Sequence, residues 1–124
     1  MNFVQSQPDE VEMDLHGYHP DDICGEPLTK IIRQAWEMGA QSIRLIHGHG
    51  RTRGKVLYFV NTNTGYLGLT VRRKLRHDNE LRRWIKYTTL NCRHEGSTSV
   101  KLKRNPAPNR IIFEDVLPER RYRN

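Results

Sequence analysis

The hydrophobic period of the chain changes twice between Val11 and His47, and this change restricts the fold more than any other feature. Val11, Met13 and Leu15 alternate with Glu12, Asp14 and His16, the period of a half-buried strand. Leu28, Ile31, Ile32, Ala35 and Trp36 then recur at steps of three and four, which is one apolar helix face. Glu26 and Pro27 suit the first turn of that helix, and Gly39 is a natural stop. Pro27 would break any longer helix, so Pro20 to Cys24 reads as a separate short turn. Ser42 to His47 is a second strand. A strand, a helix and a strand within about thirty-five residues form a βαβ unit, with parallel strands and a right-handed crossover.

The remainder is read from the same periodicities. The run Val56 to Val60 fits a short strand or a helical turn equally well. Leu69, Val71, Lys74 and Leu75 mark a basic amphipathic helix ending near Asp78. Glu80 to Thr89, with Leu81, Trp84, Ile85 and Tyr87, fits no single element. Ser97 to Arg104 alternates again, Val100 and Leu102 to one side and Ser99, Lys101 and Lys103 to the other, as a strand with a basic face. Ile111 to Phe113 is expected to pack on the core. Residues 1–10 read as a loose arm, and Glu119 to Asn124 as a basic tail.

At 124 residues the chain fits one domain, large enough for a core without disulfides. Cys24 and Cys92 form no CxxC pair and are expected to be reduced thiols. No basic start followed by an apolar stretch opens the chain, and no run is long enough to span a bilayer, so a cytoplasmic location away from membranes is expected. Lys plus Arg number 21 against 14 Asp plus Glu, a formal charge of +7, which points to an anionic partner, most commonly nucleic acid. Arg72, Arg73, Lys74 and Arg76, then Arg82, Arg83 and Lys86, then Lys101, Lys103 and Arg104, are clusters suited to phosphates rather than to reading base sequence.

Parallel strands place Asp14, His16 and His47 at one edge of a sheet, outside the carboxyl ends, where open α/β sheets bind ligands. Asp14 and His16, two apart on a strand, share a face. A carboxylate beside an imidazole orients it and raises its basicity, which suits proton transfer during phosphodiester cleavage. The blander reading is that Asp14 caps a loop and His16 bonds backbone. His47-Gly48-His49-Gly50, followed by Arg51, Arg53 and Lys55, offers glycine turns and cations for a phosphate. It lacks the Gly-Lys-Ser/Thr of a Walker loop. His16, His19, His47 and His49 with Asp14 match no known metal-ligand spacing; the residues demand no cofactor, although a divalent metal is compatible with them.

Met13-Asp14-Leu15-His16-Gly17, the helix, Ile43 to Gly50 and the glycine-led strand Gly96 to Leu102 together resemble the Smr (small MutS-related) domain family over residues 11–104. The resemblance implies a two-layer α/β sandwich: a mixed, mainly four-stranded sheet with a βαβ core and two main helices. It implies binding of DNA or RNA, and in several members endonuclease activity on RNA or nicking of DNA. Asp14 and His16 match the family's DxH pair, and Gly48 and Gly50 its glycine motif. His47 occupies a position that is His or Thr in the family. Met13 departs from the usual leucine, and Thr52 to Gly68 is longer than expected, as a lid or an extra substrate contact. With no ATPase or coiled-coil segment, a stand-alone domain is expected, followed by an extension over residues 105–124. A non-catalytic module that binds nucleic acid or the ribosome, through a junction or ribosomal RNA, is the alternative to an endonuclease.

Overall fold

The structure, a computed structural model, describes residues 9–49, 65–109 and 116–119. In chain order these form β1 (Glu10–Asp14), α1 (Pro20–Ile23), α2 (Glu26–Glu37), β2 (Ser42–Ile46), α3 (Tyr66–His77), a 3-10 turn (Leu81–Arg83), β3 (Ile85–Asn91) and β4 (Ser97–Leu102). The sheet order is β1-β2-β4-β3. β1 and β2 are parallel, Glu10 opposite Ser42 through Asp14 opposite Ile46, with α2 in the crossover. β4 runs antiparallel to both β2 and β3. The expected α/β fold with a mixed four-stranded sheet is the one observed.

α2 has the boundaries its residues dictate. Leu28, Ile31, Ile32 and Ala35 are wholly buried. Gly39 has φ 85°, its N–H bonds to the Trp36 carbonyl, and the Ala40 N–H bonds to Ala35. These two bonds form a Schellman stop, which needs a left-handed residue at the glycine. α1 is the separate short turn expected before Pro27; His19 caps it by accepting the Asp21 N–H at Nδ1. α3 begins at Tyr66, earlier than its apolar spacing suggested, and buries Leu67, Gly68, Val71 and Leu75. The unassigned stretch after Glu80 divides: Leu81 plugs the core from the 3-10 turn, and β3 starts at the buried Ile85.

All three helices contribute to one core beneath a single face of the sheet, with Ile43, Leu45, Val100 and Leu102 pointing into it. On the opposite face Glu10, Glu12, Asp14 and Lys101 are exposed, and Ser42, Arg44 and Ile46 half-buried. The C-terminal segment returns to α2: Asn105 Nδ2 donates to the Trp36 carbonyl at 2.8 Å and the Asn109 N–H to that of Glu37 at 2.8 Å. Among the described residues no helix is long and apolar enough to cross a membrane. The Val56–Val60 run, Ile111–Phe113, residues 1–8 of the expected arm and the tail from Arg120 onward lie outside the described residues.

Candidate functional site

Because β1 and β2 are parallel and β4 is antiparallel to β2, the C-terminal ends of β1 and β2 meet the N-terminal end of β4 at one edge of the sheet. The Leu15 N–H donates to the Ile46 carbonyl at 2.7 Å, so the pairing runs one residue beyond β1. Leu15 is wholly buried and anchors the segment. The chain then turns. Asp14 Oδ1 accepts the backbone N–H of His16 at 3.0 Å, and Gly17 follows at φ 83°. An aspartate bonding the backbone two residues on is an Asx turn.

This turn, rather than continued strand alternation, brings the expected pair together. His16 Nδ1 lies 2.6 Å from Asp14 Oδ1. An ionised carboxylate only accepts, so Nδ1 carries the proton and the basic lone pair of the neutral ring is on Nε2. Both side chains are more than half exposed, open to a bulky substrate. The loop-capping and imidazole-orienting roles of Asp14 therefore coexist on one oxygen.

The second motif meets the first at Gly48. Its φ is +75°, and a Cβ built there would lie 3.4 Å from His16 Cβ. That separation is ordinary contact, so the left-handed backbone, more than crowding, calls for glycine. The Gly96 carbonyl accepts from both the His47 and Gly48 N–H groups, at 3.0 and 2.9 Å. Neither amide is therefore available to a phosphate, and any backbone cradle in this motif starts at or after His49. His49 is exposed, 3.8 Å from Glu95, and a Cβ on Gly96 would approach its Nε2 to 3.3 Å. Gly50, Arg51, Arg53, Lys55 and most of the long Thr52–Gly68 stretch lie outside the described residues.

His47 is 2% exposed. Its Nδ1 is 3.0 Å from the Gly48 carbonyl and its Nε2 2.9 Å from Thr98 Oγ1. A carbonyl only accepts, so Nδ1 is the protonated nitrogen and Nε2 accepts the Thr98 hydroxyl proton. Thr98 Oγ1 in turn accepts from Arg72 Nε at 2.7 Å. Burial lowers the His47 pKa below its usual value, the charge of Arg72 and the neighbouring His49 add to the effect, and the bond to Gly48 opposes it. His47 is thus a neutral, buried strut rather than an exposed acid or base. Arg72 also donates from Nη2 to the His94 and Ser97 carbonyls at 2.6 and 3.1 Å. Its guanidinium ties α3 to the β3–β4 connection instead of standing out towards a phosphate.

The remaining expected binding residues separate. Arg73 is exposed on α3. Lys101 and Lys103 lie at the far end of β4, by the opposite edge of the sheet. His19 is occupied at the α1 cap. The edge gains the β3–β4 connection, where Arg93 and His94 are exposed; recognising β3 as a strand would have placed them there. Thr98 was also legible, since alternation turns it inward with Val100 and Leu102. Among the described residues no group of three His, Cys, Asp or Glu is placed to hold a metal ion.

A family model described as the Smr domain matches residues 13–103. No curated protein and no solved structure matches the chain. The family match spans most of the 124 residues, so the chain belongs to the Smr domain family, a nucleic-acid-binding and nuclease-type family.

Proposed function

We propose that this Smr domain is an endonuclease that cleaves phosphodiester bonds in RNA or nicks DNA, with Asp14 and His16 as its reacting pair. The observation that carries the reading is the 2.6 Å contact from His16 Nδ1 to Asp14 Oδ1, at the carboxyl edge of the sheet and against Gly48. With Nδ1–H held by the carboxylate, Nε2 is the proton acceptor. On RNA it takes the proton of a 2′-hydroxyl as that oxygen attacks the adjacent phosphorus. The bond to the 5′-oxygen breaks, leaving a 2′,3′-cyclic phosphate, and the leaving oxygen takes a proton from solvent water. On DNA the same nitrogen deprotonates a water as its oxygen bonds to phosphorus, one P–O bond to a sugar breaks, and the departing oxygen takes a proton from solvent water. Asp14 stays ionised and stabilises the imidazolium formed in either case.

His47 acts in this reading by holding Gly48, and through it the wall against His16. His49, Gly50, Arg51, Arg53 and Lys55 are the proposed phosphate holders, because they continue the chain directly from that wall. Donors aimed at the phosphate oxygens as charge develops would contribute several kcal/mol.

The test is cleavage of RNA and nicking of supercoiled plasmid, in magnesium and in EDTA, by wild type, Asp14→Asn and His16→Ala. Loss of cleavage in both variants with unchanged folding supports the assignment. Wild-type cleavage that persists in both variants overturns it. A wild type that binds but cleaves neither substrate leaves a non-catalytic module for nucleic acid or ribosomal RNA.

A further inference from the structure

The opposite edge of the sheet carries an open groove of about 500 Å³. Lys86, Lys101, Lys103 and Arg104 line it, with Asp9 and Glu10 across from them. Lys86 and Lys101 are direct cross-strand partners in the β3–β4 register. Like charges in that position destabilise a sheet, and among the described residues no ion pair relieves them. Glu10, by contrast, is held by Arg44 Nε at 3.3 Å and by Ser42 Oγ at 3.4 Å. Among the described residues the cationic side of the groove thus has no ion-pair partner, while one of its carboxylates is already paired.

The open face of the sheet extends this asymmetry. Along β1 it presents Glu10, Glu12 and Asp14, with Arg44 alongside bridging Glu10 and Glu12. Along β4 it presents Ser97, Ser99 and Lys101. Neither β3 nor β4 contains a carboxylate. A polyanion crossing this face is repelled from the β1 side and accommodated over β4 and β3. The track ends beside Arg93 and His94 at the edge that holds Asp14 and His16. Four to five residues of strand separate the groove lysines from that edge, about 13–16 Å. At a rise of about 3.4 Å per nucleotide in a stacked strand, this is about four or five nucleotides.

We infer that the Lys86–Lys101–Lys103–Arg104 groove is a second binding site for a polynucleotide backbone, gripping phosphates about four or five nucleotides from the position held at Asp14–His16. The position of the cut relative to this site rests on the proposed function; the binding does not. The site reads no bases, because lysines contact phosphates as point charges. It sets the minimum length of a tightly bound strand.

The experiment is fluorescence anisotropy of end-labelled single-stranded oligonucleotides, 3 to 20 nucleotides long, as RNA and as DNA, across a salt series. The proteins are full-length wild type, Lys101→Glu/Lys103→Glu and, as a milder control, Lys101→Gln/Lys103→Gln, each checked for folding by circular dichroism. Wild-type affinity is expected to step up once the strand exceeds about five nucleotides. The Glu variant should lose that step, bind the 20-mer at least tenfold more weakly and show a salt slope shallower by about 1.4, two phosphates at about 0.7 each. The Gln variant should fall between. The RNA and DNA arms decide which polymer the groove prefers. Wild-type Kd and salt slope in the folded Glu variant on both polymers would overturn the site, as would an affinity step that survives in it. Because the readout is binding, a protein that cleaves nothing still tests this site.

Discussion

The two edges of the sheet use their polar groups in opposite ways. At the carboxyl edge, charges and dipoles are committed to one another: Arg72 to Thr98, Thr98 to His47, His47 to Gly48, and Asp14 to His16. At the other edge Lys86 faces Lys101, and among the described residues neither makes an ion pair. Internal pairing fixes geometry, which proton transfer requires to within fractions of an ångström. Unpaired surface cations fix no geometry but attract a polyanion strongly, and in a salt-dependent way. The difference separates an edge whose polar groups hold one another in fixed geometry from one whose lysines face each other across the strands, and each edge can be perturbed without the other.

The largest effect is expected at the exposed pair. His16→Ala should lower cleavage by about 10²–10⁴-fold, the usual contribution of a general base, measured in single-turnover assays. Its melting temperature should barely move, because the pair lies at the surface. A thermal shift of many degrees would mean that this exposed pair holds the fold together as the buried His47–Thr98–Arg72 chain does.

The strut is expected to behave the other way round. Arg72→Ala removes the donor shared by Thr98, His94 and Ser97, and should cost about 2 kcal/mol in urea unfolding, as for bonds to a charged group. Gly48→Ala should cost about 1 kcal/mol through its left-handed φ, and should also slow cleavage by shifting the wall beside His16. Stability unaffected by either change would remove the structural reason for the wall.

A smaller effect should appear with pH. The folded His47 binds a proton less readily than the unfolded one. The unfolded state therefore takes up more protons as pH falls below about 6.5, and stability drops as the pH passes down towards the folded pKa. The stabilisation is present in full above that window. The melting temperature of wild type should fall between pH 7 and pH 5, and His47→Gln, which cannot titrate, should show a shallower fall. Equal slopes would mean that the ring is not held neutral by the fold. Smallest of all, Lys101→Thr should raise the melting temperature by about 1–2 °C by relieving the Lys86–Lys101 pair, while weakening polynucleotide binding. A decrease in melting temperature would show that the pair is not strained and would blunt the contrast between the edges.

Much of the carboxyl edge was legible before any coordinates. Asp14 and His16 lie at the end of an alternating run, Gly39 closes an amphipathic helix, and the βαβ connection leaves only one parallel arrangement. The pairing of Asp14 with His16 was foreseen, but through strand alternation; the contact is made by an Asx turn that follows the strand. β3 was not legible. Its exposed and half-buried residues after Ile85 follow no strict alternation, because the register with β4 is interrupted between Lys86 and Asn91. Without β3 there was no hairpin to bring Arg93 and His94 to the edge.

The sequence alone determined where the elements lie and which motif glycines must turn, because period, capping and φ are set by residues within one or two turns of each other. The tertiary structure decided which polar side chains are occupied. His47 and Arg72 carry no local mark of being a buried strut and its brace; that follows from β4 pairing beside β2, which sets Thr98 between them. Lys101 and Lys103 resemble every other basic cluster until the antiparallel pairing of β4 with β2 sends them to the edge away from Asp14 and His16. Charge is local, but its partner comes from a distant part of the chain, and only the folded topology chooses it.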